Sequence, residues 1–265
     1  MKKEFIMLSG LPRSGSSVLT SMLNQHPEFH ASTTSPVIDM IEIFNERWPV
    51  ISKALINPPA RQYENMITGL IDGAYEHVNN PVVIDKNRLW PRHGKLMSNV
   101  LNHKPKIICT VRSIPEILAS YILLINKNSN KITFIDQDLI DNHITINNKN
   151  RCKLLWEKYI NGPYNSVRIG YNSSDVELCI VDYDDIVNNS QATMDKICNF
   201  IRIGSIKVDL LNLQSMDEND NFHGGITGLH DVRPVMQRTS PPAEQVIGRE
   251  LYKLYTSMKL DFWNK

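Results

Sequence analysis

The chain has 265 residues, of which 42% are hydrophobic and 22% charged, and its formal net charge is +1. These values suit a folded globular protein, and the length fits one large α/β domain or two small ones, of which a single domain spanning 1–265 is expected; they exclude the strong basic excess of a dedicated nucleic-acid binder. No nucleic-acid partner is expected.

Phe5 to Leu8 is a short apolar run, long enough for a buried strand and too short to cross a membrane. Gly10 and Gly15 bracket a tight turn, after which Val18, Leu19, Met22 and Leu23 recur at helical spacing until His26-Pro27. Phe29–Pro36 reads as a polar, hydroxyl-rich loop, followed by helices over Val37–Trp48 and Tyr63–Val78. Val82–Asp85 is a second strand that runs into the charged cluster Asp85-Lys86-Asn87-Arg88, and Leu89–Leu101 is a helix. Lys106–Val111 is a third strand ending at Arg112, and Pro115 suits the first turn of the next helix, to about Ile125.

Asn126–Asn150, rich in Asn, Asp and Lys, reads as an irregular surface insertion. Arg151–Gly170 is helical, Glu177–Val181 is a fourth strand, and Gln191–Ile201 is a helix. Residues 219–242 are loop-like, and Ala243–Met258 closes the chain as a helix. Strands alternating with helices predict a central parallel sheet flanked by helices, with ligands at the carboxyl ends of the strands. Arg13, Asp85 and Arg112 then meet on one edge.

The chemistry begins at Leu11-Pro12-Arg13-Ser14-Gly15-Ser16-Ser17. A strand, a glycine-bearing loop and a helix start present backbone N–H groups and a positive dipole end to one anion. The hydroxyls of Ser14, Ser16 and Ser17 and the charge of Arg13 add to that mouth. A Walker A loop carries a lysine after its second glycine, where this chain has Ser16. The loop instead resembles the P-R-S-G-S/T-T/S loop of the sulfotransferase family, which grips the 5′-phosphosulfate of PAPS (3′-phosphoadenosine 5′-phosphosulfate). The resemblance implies a P-loop-like fold shared with nucleotide kinases and a cofactor site of Pro12, Arg13, Ser14, Gly15, Ser16 and Ser17. It also implies Arg13 on the transferring group, PAP as the desulfated product, and no metal.

Arg112 ends a strand and Ser120 lies eight residues on, two turns into the next helix, so both can face one phosphate. The segment Val111 to Tyr121 resembles the family's V-R-x-P-x-x-x-x-x-S motif for the 3′-phosphate, with the proline one place later here. Tyr183-Asp184-Asp185-Ile186 resembles the family's Y-E-D-L stretch. Gly228-Leu229-His230-Asp231-Val232-Arg233-Pro234 resembles a G-L-H-x-I-R-P stretch of bacterial members, where the C-terminal loop folds over the cofactor. That implies Arg233 as a further cofactor contact.

Sulfuryl transfer needs a group to take the acceptor's proton. Asp85, His30 and Glu42 are the candidates, with Asp85, beside Lys86 and Arg88, taken as the catalytic residue. The acceptor class stays open: a small molecule, a carbohydrate or a peptide. Cys109, Cys152, Cys179 and Cys198 have no metal-ligand spacing, and three sit in apolar runs, which suggests a reduced, cytoplasmic chain. No signal peptide or membrane anchor is expected. Two rival readings remain: a small-molecule kinase, which would depend on Mg²⁺, and a nucleotide-binding module without transferase activity.

Overall fold

In the computed structural model, residues 3–53, 61–214, 226–232 and 241–264 are described. Five strands form one sheet: β1 (Glu4–Gly10), β2 (Phe29–Thr34), β3 (Val82–Lys86), β4 (Lys106–Val111) and β5 (Glu177–Asp182). Their order is β2-β3-β1-β4-β5, with every neighbouring pair parallel. The α/β fold with a central parallel sheet is therefore as the sequence predicts, and the carboxyl ends of β1, β3 and β4 share one edge.

Successive side chains of β1 point to opposite faces of the sheet. Ile6 and Leu8 pack with Leu19 of α1 (Ser16–Leu23), Ile186 of α9 (Tyr183–Asn188) and Ile197 of α10 (Ser190–Ile201). Met7 faces the larger core, shared with Ile38 of α2 (Val37–Ser52), Ile67 of α3 (Gln62–Ala74) and Met97 of α4 (Gly94–Leu101). Ile117 of α5 (Ile114–Lys127) and Val167 of α8 (Asn161–Tyr171) complete that layer. No helix among the described residues is long and apolar enough to cross a membrane.

Four segments differ from the sequence expectation. Phe29–Thr34 is the edge strand β2, not a loop. Asn24 stands in for its missing outer neighbour, donating from Nδ2 to the Ala31 carbonyl at 2.8 Å and accepting from the Ala31 N–H at 2.8 Å. The 126–150 segment is not irregular. Thr133 caps α6 (Phe134–Asp141) by accepting from Asp136 N–H at 3.2 Å, and Asn147 caps α7 (Asn148–Leu154) by accepting from Asn150 N–H at 2.9 Å. Polar residues counted as signs of irregularity are helix caps, because their side chains replace missing backbone partners. Leu89–Leu101 is split into a 3₁₀ turn at Trp90–His93 and α4, and the last helix breaks at Gly248 into α11 (Ala243–Ile247) and α12 (Arg249–Ser257).

Two contacts in the sheet have measurable consequences. Gly10 has φ +139°, and a Cβ there would lie 2.2 Å from the Thr110 carbonyl oxygen and 2.4 Å from Thr110 Oγ1. Gly10→Ala must separate β1 from β4, and denaturant titration should show a loss of at least about 2 kcal/mol. Unchanged stability would show that the two strands are not held this close.

Asp85 is fully buried in β3, where its carboxylate accepts from Trp90 Nε1 at 2.7 Å and from the Tyr75 hydroxyl. Burial pushes the Asp85 carboxyl above the ordinary carboxylate range, while hydrogen bonds from Ser35, Tyr75 and Trp90 pull it down. A raised acid holds its proton more tightly folded than unfolded, so its contribution is present at low pH and lost as pH rises from about 4 through the folded value. Asp85→Asn escapes that loss. Between about pH 4 and 8 the unmodified protein should lose stability relative to the variant, by at most about 1.4 kcal/mol per pH unit. A constant difference over that range would contradict the raised value.

Candidate functional site

The turn after β1 is built from two left-handed residues, Arg13 at φ +58° and Gly15 at φ +88°. Gly15 is the N-cap of α1, which has no side-chain cap and no acidic residue in its first turn. The N–H groups of that turn are therefore left for an anion, with the helix dipole behind them. Ser14 does not contribute its hydroxyl to the mouth. It is fully buried, donates to the Leu11 carbonyl and lies 2.6 Å from Thr110 Oγ1, which ties the loop to β4. Pro12 is buried, Ser17 is half-buried at the helix start, and Ser16 opens into a large cavity.

The two arginines meet here. A Cβ on Gly15 would lie 3.0 Å from the ring of Tyr183, and on that same ring the Arg112 guanidinium stacks with its carbon 4.0 Å from the centroid. Arg112 Nη1 donates to the Arg13 carbonyl at 3.2 Å, and its Nε donates to Glu116 at 3.1 Å. Arg13 Nε donates to Ser120 Oγ at 3.2 Å, and its Nη1 donates to the Leu229 carbonyl. Arg112 and Ser120 line one cavity of about 350 Å³, together with Ser113, Glu116, Glu244 and Tyr252.

The larger cavity, about 710 Å³, begins at Gly10 and Ser16 and continues past Lys86, Asn87 and Asp39. Leu229 and His230 form part of its wall, so the described piece of the C-terminal loop lies at this site. That piece is pinned by Asn128, which donates to the Thr227 carbonyl at 3.1 Å and accepts from the Thr227 N–H at 3.0 Å. Arg233 lies outside the described residues. Among the described residues, no group of three His, Cys, Asp or Glu side chains is arranged to hold a metal ion.

None of the three base candidates named from the sequence lines either cavity. Asp85 is enclosed with its carboxylate turned to Tyr75 and Trp90. His30 lies beside the rings of Tyr75 and His77, and burial lowers its pKa. Glu42 accepts from Arg92 and pairs with His93 at 3.3 Å.

The carboxylate that does line the larger cavity is Asp39. It is exposed in the first turn of α2, with one oxygen accepting from Asn87 Nδ2 at 2.8 Å. In the sequence alone an acid at this position looks like a helix-start charge. Only with β2 recognised as a strand does the start of α2 fall at the carboxyl edge of the sheet. Lys86, which in the sequence stands out only as a charge beside Asp85, is buried on the cavity wall.

Residues 5–205 match the profile described as the Sulfotransferase family. The chain is 23% identical over 203 residues to protein-tyrosine sulfotransferase A of Caenorhabditis elegans, an alignment covering 75% of this chain and 50% of that protein. It thus spans about half the length of that relative. Among solved structures, the sulfotransferase domain of the curacin biosynthetic pathway aligns over 95% of this chain and 98% of its own, at 16% identity and a TM-score of 0.49. The sulfotransferase domain of the Synechococcus PCC 7002 olefin synthase aligns over 97% and 96%, at 18% identity and a TM-score of 0.48. With its family profile running from β1 through α10, the chain belongs to the sulfotransferase family.

Proposed function

We propose that this protein is a PAPS-dependent sulfotransferase acting on a hydroxyl or amine acceptor. The observation that carries the reading is the Arg13–Ser120 hydrogen bond of 3.2 Å, which joins the loop's open helix start to the Arg112 cavity. A donor with phosphates at both its 5′ and 3′ ends fits two adjoining anion sites. The amides of Gly15, Ser16 and Ser17 would hold the 5′-phosphate, and Arg112 with Ser120 would hold the 3′-phosphate. Pro12 and Ser14 shape the loop, and Arg233 remains a proposed contact.

PAPS, when bound, supplies the sulfuryl group through its sulfur–oxygen bond to the 5′-phosphate. Arg13 and Lys86 present fixed positive charge to the region between the loop and the larger cavity, where charge builds on the departing phosphate. Asp39, exposed to that cavity and oriented by Asn87, takes the acceptor's proton. Asp85, which carried the catalytic assignment in the sequence reading, is better assigned to positioning. It anchors the end of β3 from which Lys86 and Asn87 project. The protein's own cations supply the electrostatics, so the proposal includes no metal. The four free, buried cysteines support a reducing, cytoplasmic setting.

The donor assignment is tested by calorimetry without Mg²⁺. PAP should bind at least about tenfold tighter than ADP, because one charge-assisted clamp contributes about 1.5–3 kcal/mol and tenfold is about 1.4 kcal/mol. Arg112→Ala should erase most of that gap while leaving ADP affinity close to unchanged. Equal binding of PAP and ADP, or binding of ADP only with Mg²⁺, would favour a kinase instead.

The base is tested by pH–rate profiles once an acceptor is in hand. Asp39→Asn should lose roughly 10²–10⁴ in turnover, together with the acidic limb of the profile, and should keep PAP affinity. Asp85→Asn should keep that limb. The reverse pattern would return the base to Asp85.

A further inference from the structure

We infer that the acceptor carries a negative charge and an aromatic or flat apolar body, and that Arg88 reads that charge. This rests on the sulfotransferase reading of the site and extends it to the second substrate. The larger cavity has two unlike parts. One is the polar end at Gly10, Ser16, Lys86 and Asp39; the other is a wall of Leu89, Tyr121, Phe134, Tyr159 and Pro163. A cavity of about 710 Å³ with an apolar wall and a few charged groups is suited to an organic molecule oriented by those charges.

The wall is fixed, not incidental. Phe134 of α6 and Tyr159 meet edge to face, with centroids 5.0 Å apart. Tyr159 and Lys158 lie in a π-helical stretch, Leu155–Ile160, and both donate to Asp138 of α6, Lys158 at 2.8 Å and Tyr159 through its hydroxyl. Local π-helical geometry inside a longer helix is often found at functional sites. Here it brings two consecutive residues onto one cavity and one carboxylate.

Charge on the wall is unbalanced. Lys86, Arg88 and Lys158 line the cavity against the carboxylate of Asp39. Lys158 is neutralised by Asp138. Arg88 is exposed, and no hydrogen bond or ion pair engages its guanidinium among the described residues. A planar fork of donors presented to a cavity beside aromatic rings matches a carboxylate on the ligand. A cationic acceptor would be repelled by the same group, so the excess charge selects as well as binds.

Three phenols of matched shape test this by calorimetry, each titrated into the protein with saturating PAP and again without it: p-hydroxyphenylacetate (anionic), p-ethylphenol (neutral) and tyramine (cationic). The anion should bind at least about tenfold tighter than the neutral phenol, and the cation no tighter than the neutral one. Arg88→Gln should bring the anion to the neutral level, leave the neutral phenol within about twofold, and reduce any disadvantage of the cation against the neutral phenol. Arg88→Lys should keep part of the preference. Equal binding of anion and neutral phenol, selectivity that survives Arg88→Gln, or no binding of the anion at millimolar concentration would each overturn the inference. Absence of PAP binding would instead overturn the donor reading, and the titrations without PAP would still report on Arg88.

Discussion

The close approach of β1 to β4 at Gly10 sets the geometry of everything that follows. With no Cβ at Gly10, the chain leaves β1 pressed against the Thr110 backbone, and the Leu11 N–H donates to the Thr110 carbonyl at 2.9 Å. Ser14 then closes the loop back onto Thr110. The turn is therefore short and anchored at both ends. Gly15, in a conformation that costs other residues energy, can start α1 with its amides uncovered. A longer or looser connection would leave the helix dipole aimed at no fixed point.

From that anchor the cationic groups are positioned before any ligand arrives. Arg112 is held by the Tyr183 ring, the Arg13 carbonyl and Glu116, and Arg13 is held by Ser120 and the Leu229 carbonyl. Groups already ordered lose little side-chain entropy on binding an anion, and fixed donors need little reorganisation during reaction. The pairing of Arg112 with Glu116 has a second consequence. An anion bound there would compete with the Glu116 carboxylate for the guanidinium. The Leu229 carbonyl accepts from Arg13 of the loop itself, which ties the described part of the C-terminal segment to the loop.

The sheet and the loop were legible because their signals are local and strong. Four apolar runs predict four of the strands, and the spacing of Gly10 and Gly15 predicts the tight turn between β1 and α1. The arginine-to-serine spacing of Arg112 and Ser120 likewise predicted two side chains that the structure brings to one cavity. Hidden were features whose meaning depends on neighbours far along the chain. β2 has few apolar residues because an edge strand buries only one side, and Asn24 completes its pairing from outside the strand. Asp85 and Asp39 are both acids near strand ends, and nothing local distinguishes them. Tyr75 and Trp90 enclose the first, while Asn87 turns the second toward the cavity. The Asn-rich run that contains Asn147 reads as irregular because capping is visible only once the helix it caps is known.

In the proposed function, one donor molecule spans the loop and the Arg112 cavity, which are joined through Arg13 and Ser120. A crystal structure of the complex with PAP tests it most directly. The 5′-phosphate should lie against the amides at the start of α1, and the 3′-phosphate within hydrogen-bond distance of both Arg112 and Ser120. A 3′-phosphate in solvent, with Arg112 still paired only to Glu116 and the Arg13 carbonyl, would contradict it.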